Sequence, residues 1–305
     1  MGEIHDILAA KGKLAALEGG HHRNVVEAAA AYMGNEESGT GFLYSGWCQS
    51  ALPHKRQPDD MVWRFDSDRV SLLVEPGARI EGNGTVRVGV PFGSRARLIL
   101  IYLQTEALRT GKSEVELGRS LRQWFIRMGI SMCGKNVAAV RDQAERISRC
   151  RLSFQFTTGK RVGLVQQNIV ETAMFVEDDD VRQGSLFTEK ARLSDSFFRE
   201  LQKHPMPIED AAIKALSNNS QAIDIYCWLA YRLHVLKGPT PISWQAAKQQ
   251  FGQSVGRMID FRRRFLPNLA LAMAVYPDAK IEQTDDGLLL HPSRPPVAPR
   301  MIAVS

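Results

Sequence analysis

Cysteine is scarce in this sequence and is nowhere clustered. The 305 residues include only Cys48, Cys133, Cys150 and Cys227. No two of them have the spacing of metal ligands, and their scatter does not suggest a framework of disulfide bonds. We therefore expect four reduced thiols and no metal site.

Long hydrophobic runs are also absent. No stretch approaches the roughly 18 consecutive apolar residues that a membrane helix needs, and residues 1–31 lack the apolar core of a signal peptide. We therefore expect a cytoplasmic protein with no membrane association. Hydrophobic residues still make up 44% of the chain, which is enough for packed cores, and the length predicts about two domains.

Signatures of catalysis are missing as well. An enzyme that nicks DNA through a tyrosine nucleophile needs two metal-binding histidines separated by one residue, whereas His21 and His22 are adjacent. No Ser-His-Asp or zinc pattern occurs. We expect a protein that is not an enzyme and has no cofactor.

One near-match keeps an enzymatic alternative open. Residues 129–136 almost fit the phosphate-binding loop G-x-x-x-x-G-K-S/T, but Asn136 lacks the hydroxyl group that would contact magnesium. The motif also requires a preceding strand, and the pattern here predicts a helix. A turn between two helices explains the same glycines. The alternative is a nucleotide hydrolase that acts on DNA.

Positive charge is concentrated in two parts of the chain. The net charge is +6, yet the segment 109–161 alone contains twelve basic and four acidic residues. In a second cluster, Asp260 is the lone acid among Arg257, Arg262, Arg263 and Arg264. Two basic concentrations in one chain predict two contact points on a polyanion such as DNA.

The first half has the periodicity of a three-helix unit. An apolar helical face ends at Gly111, and the sequence Ser-Glu-Val-Glu at 113–116 is a capping-box pattern that predicts the start of a second helix. A third helix after Gly134 has an apolar side and an outer side with Lys135, Asp142, Arg146 and Arg149. A hairpin with its turn at residues 158–160 follows. This layout is typical of a winged helix-turn-helix.

The second half repeats this layout without obvious residue identity. Ser220 and Ser243 are N-cap candidates for two helices. A third helix is predicted to begin at Ser254, and Pro267 within it predicts a kink or the loss of one hydrogen bond. A hairpin with its turn at residues 285–287 follows. Aromatic residues at helical spacing in these segments predict core positions rather than base-stacking platforms.

These patterns together predict an α+β, mostly helical fold with tandem winged-helix (winged helix-turn-helix) domains. We expect an N-terminal helical extension at 1–40, a first winged-helix domain at 41–184, an inter-domain junction at 185–216, a second winged-helix domain at 217–297 and a flexible tail at 298–305.

The third helix of each domain is the candidate recognition helix. In the first domain the candidate DNA-binding residues are Lys135, Asn136, Arg146, Arg149 and, at the hairpin tip, Lys160 and Arg161. In the second domain they are Lys248, Gln253, Ser254, Arg257, Arg262, Arg263 and Arg264. Arginine and lysine can reach guanine edges or phosphates, and asparagine can read adenine. A solvated helix face is the other interpretation of each cluster.

Several short strings resemble the plasmid-encoded RepA replication-protein family. They are residues 93–98 (GSRARL), 224–232 (DIYCWLAYR), 291–297 (HPSRPPV), 185–187 (SLF), 193–195 (LSD) and 276–279 (YPDA). The likeness runs from about residue 41 to residue 297, and residues 1–40 lie outside it.

That resemblance implies a plasmid replication initiator. Such a protein binds repeated sites in double-stranded DNA at the plasmid origin, promotes origin opening, controls copy number and recruits host replication initiation and helicase-loading proteins. The sequence leaves open whether the chain is a monomer or a homodimer. A winged-helix transcriptional repressor remains an alternative, because it would have the same fold. Since initiators often repress their own promoter, both roles can be true of one protein.

Overall fold

The computed structural model describes residues 3–35, 39–67, 70–158, 161–173, 190–253 and 255–298. These residues form α+β structure that divides into two compact units. Unit 1 comprises Met1–Gly41, Pro207–Leu216 and Gln221–Ser305, and unit 2 comprises Phe42–Met206 and Ser217–Ser220.

Helices and short strands alternate along the chain. The first elements are α1 (Glu3–Glu18), α2 (Arg23–Met33), β1 (Thr40–Tyr44), α3 (Ser45–Cys48), β2 (Trp63–Asp66), β3 (Val70–Glu75), β4 (Gly77–Glu81), β5 (Gly84–Val88), α4 (Gly93–Thr110), β6 (Glu114–Glu116), α5 (Gly118–Arg127) and α6 (Gly134–Arg149). The later elements are β7 (Arg151–Thr158), β8 (Arg161–Asn168), β9 (Val170–Ala173), β10 (Lys190–Leu193), α7 (Asp195–Lys203), β11 (Pro205–Glu209), α8 (Asp210–Leu216), α9 (Ser220–Leu233), β12 (Thr240–Ser243), α10 (Trp244–Phe251), α11 (Met258–Ala274), β13 (Ile281–Gln283) and β14 (Gly287–Leu290). The chain passes from unit 1 to unit 2 within β1 and returns within β11.

Two glycines end helices of unit 2 as the sequence predicts. Gly111 is the C-cap of α4 with a φ of 68°, and Gly129 follows α5 with a φ of 74°. Both values lie in the left-handed region, which glycine enters without the steric cost of a Cβ atom. The predicted stops of these two helices are therefore confirmed.

The predicted capping box is wrong. Residues Glu114–Glu116 form the strand β6, and α5 begins only at Gly118. Val115 is buried between two exposed glutamates and lies opposite Ala191 of β10. Pairing with a strand far along the chain overrides the local helix-start signal, because a sequence window of four residues does not contain that partner.

The larger sheet of unit 2 is antiparallel, with the strand order β2-β3-β7-β8. Alternate residues of β3 are fully buried, and one of them, Leu72, lies opposite Phe154 of β7. Tyr44 and Trp47 contact the Phe154 ring edge-on, with centroid distances of 5.6 and 5.1 Å. This aromatic cluster forms part of the core of unit 2.

The predicted hairpin after α6 is present, but the prediction of its role as the wing of the three-helix set is wrong. β7 and β8 are antiparallel neighbours, with Thr158 opposite Arg161, and turn residues 159 and 160 lie outside the described residues. The hairpin pairs with β3 rather than with β6. β6 instead joins a sheet of order β6-β10-β9. Strands further along the chain therefore complete the sheet that contains β6.

In unit 1 the sequence predicts one helix start correctly and another incorrectly. Ser243 is the N-cap of α10, and its Oγ accepts a hydrogen bond from the Ala246 amide at 3.1 Å. By contrast, α11 begins at Met258 with Arg257 as its N-cap, and Ser254 lies outside the described residues. Pro267 lies within α11, where its missing N–H removes one hydrogen bond, and the helix continues to Ala274.

Aromatic side chains from three helices form much of the core of unit 1. Phe261 and Phe265 of α11 stack with a centroid distance of 5.1 Å, and Phe251 of α10 lies 5.3 Å from Phe265. Trp228 of α9 contacts Phe251 edge-on at 5.4 Å. All four side chains are buried, which confirms the core positions predicted for Trp228, Phe261 and Phe265. Tyr231 of α9, which is also predicted to be in the core, is only half-buried.

The first two helices are part of unit 1. α2 packs against α8 and α11 and buries Val26 and Ala29. Nε2 of His5 on α1 lies 2.8 Å from the carbonyl oxygen of Ala274, the last residue of α11. The N-terminal helices therefore help to enclose α11.

The two units share an order of elements. Each unit contains the order helix, strand, helix, helix, followed by two further strands that complete a small sheet. In unit 2 the order is α4, β6, α5, α6, and the sheet is β6-β10-β9; in unit 1 the order is α9, β12, α10, α11, and the sheet is β12-β14-β13. In each sheet the strand that comes last in the sequence lies in the middle and pairs with both others. Unit 2 differs by the insertion of β7 and β8 after its third helix. In the described part of the chain, no helix has the length and apolar character needed to cross a membrane.

Candidate nucleic-acid interface

The N-terminal end of α11, with its N-cap residue, presents arginines to solvent. The side chains of Arg257 and Arg263 are 78% and 74% exposed. Asp260, only 20% exposed, accepts hydrogen bonds from both, at 2.7 Å from Arg257 Nε and 3.1 Å from Arg263 Nη2. One carboxylate thus holds two guanidinium groups side by side and leaves most of their surface in contact with water.

Arg262 is oriented by a different contact. Its guanidinium carbon lies 4.6 Å from the ring centre of Trp244, the first residue of α10, which is the geometry of a cation–π interaction. Nε1 of Trp244 donates a hydrogen bond at 2.9 Å to the carbonyl oxygen of Asp285, in the turn between β13 and β14. The direction of Arg262 is therefore set jointly by α10 and the hairpin.

The other candidates in this region surround the start of α11. Nζ of Lys248 on α10 donates a hydrogen bond at 2.7 Å to the carbonyl oxygen of Gly256, which ties α10 to the loop before α11. Gln253 and Arg264 are exposed, and Ser254 lies outside the described residues. The structure therefore brings the arginines of the second cluster together at the N-terminal end of one helix.

In unit 2, the N-terminal end of α6 also carries exposed polar groups. Lys135 is exposed in the first turn. Its neighbour Asn136 is half-buried, and Nδ2 of Asn136 donates a hydrogen bond at 2.7 Å to the carbonyl oxygen of Ser131.

Arg146 does not lie on the outer face of α6, so that prediction is wrong. Its side chain is only 4% exposed and donates hydrogen bonds to Asp142 at 2.9 Å and to Asp59 at 3.1 Å, with the ring centre of Phe92 at 5.3 Å. Burial raises the pKa of Asp59, but hydrogen bonds from Arg56 and Arg146 outweigh this and hold the pKa below its ordinary value. The segment containing Asp59 covers this side of α6, which helical periodicity alone does not show.

Arg149 is also engaged within unit 2. Its side chain is 32% exposed and donates hydrogen bonds at 3.1 Å to a carboxylate oxygen of Glu145 and at 3.1 Å to the carbonyl oxygen of Ala78 in β4. Lys160 lies outside the described residues, and Arg161 begins β8. The first basic cluster is therefore not one continuous exposed face.

The segment that resembles a phosphate-binding loop connects two helices. α5 ends at Arg127, and α6 begins at Gly134. A helix thus occupies the place of the strand that the motif requires. Within the described ranges, no group of three or more His, Cys, Asp or Glu side chains is placed to hold a metal ion.

Two residues beside the arginines of α11 were not among the sequence candidates. Ile259 is 70% exposed, and Trp244 contacts Arg262. Ile259 could have been found, because at about 100° per residue it falls about 160° from Phe261 on the helix. The Trp244 contact had no sequence signal, since it joins residues on different helices.

Comparison with solved structures first defines the class of fold. The crystal structure of SeMet derivatives of domain 2 and domain 3 of RctB matches with a TM-score of 0.51 and 11% sequence identity, over 81% of this chain and 96% of that chain. A crystal structure of RctB domains 2–3 gives a TM-score of 0.47 and 9% identity, over 80% and 94% of the two chains. At 11% identity, the first match shows a shared α+β fold.

The family is then shown by sequence. Residues 90–245, about half of the chain, match the family described as plasmid encoded RepA protein, and the chain belongs to this family. This confirms the resemblance seen in residues 93–98 and 224–232, which lie within the matched segment. No curated protein matches the chain.

Proposed function

We propose that the chain is a replication initiator that binds repeated sites in double-stranded DNA at a plasmid origin. Its membership of the plasmid-encoded RepA family supports the role in replication. The observation that carries the choice of ligand is the arginine cluster of α11, in which Arg257 and Arg263 are mostly exposed and jointly held by Asp260. Exposed, oriented guanidinium groups at the N-terminal end of a helix suit both base edges and phosphates.

The proposal includes two winged-helix domains, for which the sequence predicts the limits 41–184 and 217–297. The first domain must extend past residue 184, because its small sheet includes β10 (Lys190–Leu193). The order of elements shared by the two units, with a last strand in the middle of each small sheet, supports this assignment. The pairs α5–α6 and α10–α11 are then helix-turn-helix motifs. In such motifs the second helix enters the major groove and its N-terminal residues contact base edges.

The main recognition helix is α11, which makes most of the base contacts. Arg263 and Arg264 contact guanine edges or phosphates, while Arg257 and Arg262 are oriented beside them. Because Asp260 and Trp244 already restrict two of these side chains, less conformational entropy is lost on binding. Lys248, Gln253 and Ser254 add contacts from the preceding helix and loop.

The contribution of α6 is confined to its first turn. Lys135 and Asn136 are the contact residues, because Arg146 and Arg149 are engaged with acidic side chains and backbone of unit 2. To contact a base with its amide nitrogen, Asn136 exchanges its hydrogen bond to Ser131 for one to DNA. Lys160 and Arg161 supply phosphate contacts from the β7–β8 hairpin. Several chains bound to neighbouring repeats, alone or as homodimers, then strain adjacent AT-rich DNA and recruit host replication initiation and helicase-loading proteins.

The first test is binding to duplex DNA that carries the repeats adjacent to the gene, across a salt series and against a scrambled duplex. Specific binding that weakens steeply with salt is expected, with a log–log slope of about −0.9 per phosphate contact. The double variant Arg263→Ala/Arg264→Ala should bind the repeats at least about 30-fold more weakly, because each lost base contact costs about 1–3 kcal/mol.

A charge-matched control separates contact from general electrostatics. The double variant Lys11→Ala/Arg23→Ala removes the same charge from exposed positions of α1 and α2 in unit 1. Its specific affinity should change only slightly. Equal losses of affinity for the repeats in the two double variants would contradict the assignment of α11 as the recognition helix. Equally weak binding of the wild-type chain to the repeat and scrambled duplexes would contradict specific binding altogether.

The role in replication needs a test in cells. The gene with its adjacent repeats should maintain a plasmid that has no other origin, and the Arg263→Ala/Arg264→Ala variant should not. A chain that binds the repeats and represses the adjacent promoter, but does not maintain the plasmid, would instead be a repressor.

A further inference from the structure

An exposed isoleucine lies among the arginines of α11. Ile259 is the second residue of the helix and is 70% exposed. At about 100° per residue, it lies about 40° from Arg263 and about 160° from Phe261 around the helix axis. It therefore shares the outer face of the first two turns with the exposed side chain of Arg263.

Ile259 is not part of the core of unit 1. The buried face of α11 consists of Phe261, Phe265, Leu269, Ala272 and Ala274. Leaving a large apolar side chain in water forgoes the stabilisation that its burial would provide. Ile259 thus offers apolar surface that a ligand can cover.

The neighbouring charges determine which ligand fits. Arg263 is mostly exposed about 40° from Ile259, and Asp260 holds the exposed guanidinium group of Arg257, the N-cap residue, beside that of Arg263. An apolar protein surface placed over Ile259 would also have to remove water from these guanidinium groups without replacing their hydrogen bonds, which is costly. The major groove of DNA supplies acceptors for both arginines, and its apolar feature is the 5-methyl group of thymine.

We infer that Ile259 is a specificity-determining residue that contacts the 5-methyl group of a thymine in the site read by α11. The inference rests on the proposed function, because it requires α11 to lie in the major groove. It adds a base preference that the arginines do not provide, since arginine prefers guanine. The recognised repeat therefore contains a thymine within one or two base pairs of the base or phosphate contacted by Arg263.

The experiment removes one methyl group at a time. Duplexes that bind the full chain are selected from random sequence, and each thymine of the selected site is then replaced by deoxyuridine, which keeps every hydrogen-bonding group. The wild-type chain should bind about fourfold more weakly at one position, the value expected for losing the burial of a single methyl group.

The variant Ile259→Ala tests whether that position belongs to Ile259. It should bind the thymine and deoxyuridine duplexes equally well at that position, while its salt dependence stays that of the wild type because no charge is lost. Leu14→Ala is the matched control, because Leu14 is a 75% exposed apolar residue of the same unit. This control should keep the fourfold preference for thymine.

The outcomes separate this inference from the proposed function. If no duplex is selected, DNA recognition itself fails. If a site is selected but no deoxyuridine position affects binding, or if Ile259→Ala keeps the preference for thymine, the inference is overturned while DNA binding stands. A change of oligomeric state in Ile259→Ala with an unchanged preference for thymine would likewise overturn it and place Ile259 at a protein interface.

Discussion

At the scale of single residues, the arginines of this chain have two kinds of surroundings. Arg146 is enclosed by carboxylates and an aromatic ring, whereas Arg263 touches one carboxylate and is otherwise exposed. A buried guanidinium needs such partners, because removing it from water without them is costly. Burial therefore distinguishes an arginine that stabilises the fold from one that remains able to bind a ligand.

Replacing Arg146 by alanine should destabilise unit 2 without altering the α11 surface. The change leaves Asp59 and Asp142 without their shared partner, but these carboxylates keep 35% and 42% of their surface exposed. Their partial contact with water limits the loss of unfolding free energy to about 2 kcal/mol, below the roughly 3–5 kcal/mol for breaking a fully buried pair. The measurement is urea denaturation of the full chain.

Lys135→Ala is the control, because this residue is exposed on the same helix. It should change the unfolding free energy by no more than about 0.5 kcal/mol and should weaken DNA binding instead. Equal stability of the two variants would show that the Arg146 ion pairs contribute nothing to folding.

At the scale of secondary-structure elements, local signals are reliable where the partner lies close in sequence. Ser243 caps the helix that begins one residue later, and Gly111 ends the helix directly before it. The strand β6 differs, because its partner β10 begins more than seventy residues further on. Its four-residue capping-box signal contains no information about that partner.

The small sheet of unit 1 depends on a glycine at the start of β14. A Cβ atom on Gly287 would collide with the backbone carbonyl group of Ile242 in the neighbouring strand β12. Gly287→Ala should therefore lower the unfolding free energy by about 1–3 kcal/mol, seen as a lower urea midpoint in tryptophan fluorescence. DNA affinity should fall as well, because the hairpin turn holds Trp244 and, through it, Arg262.

Gly256→Ala provides the comparison for this substitution. A Cβ atom at Gly256 would have no neighbour within 4 Å, so the urea midpoint should not fall. If both alanine variants had the wild-type midpoint, the close approach of β12 and β14 would have no energetic consequence.

At the scale of the whole molecule, unit 1 is assembled from the beginning, the middle and the end of the chain. Tyr32 of α2 donates a hydrogen bond at 2.7 Å to Glu209 of β11. The Glu209 amide donates to the hydroxyl oxygen of Tyr226 on α9 at 3.1 Å. The contact between Tyr32 and Glu209 joins residues 177 positions apart, and the contact between His5 and Ala274 joins residues 269 positions apart.

Glu209 should make the stability of unit 1 depend on pH. Burial, and to a smaller extent Asp278, raises the pKa of Glu209 above its ordinary value of 4.5, although the hydrogen bond from Tyr32 opposes the shift. The folded chain therefore binds this proton more strongly than the unfolded chain. The resulting stability is fully present below pH 4.5 and is lost as the pH rises through the raised pKa.

The test compares the Tm of Glu209→Gln with that of the wild type from about pH 4 to pH 7. Glutamine keeps an acceptor for Tyr32 but cannot ionise, so the Tm of the variant relative to the wild type should increase as the pH rises. Glu18→Gln changes an exposed carboxylate of the same unit and should show a smaller trend. A pH-independent difference for Glu209→Gln would contradict the assigned shift.

The sequence by itself determined the features whose causes are local or compositional. These include the two basic clusters, the glycine stops after α4 and α5, the serine cap of α10, the core positions of most helical aromatics and the resemblance to the RepA family. Helical periodicity also indicated that Arg263 points away from the core, because Phe261 and Phe265 mark the buried face of the same helix.

Only the tertiary structure decided the features that depend on distant partners. Arg146 is buried because Asp59 and Phe92 contact it, and Trp244 orients Arg262. Residues Glu114–Glu116 form a strand because they pair with β10, and the β7–β8 hairpin belongs to another sheet because it pairs with β3. In each case the deciding contact joins residues that no local window contains together. The same limit applies to the candidate site, where the sequence indicates which side chains are basic and the fold decides which of them remain exposed.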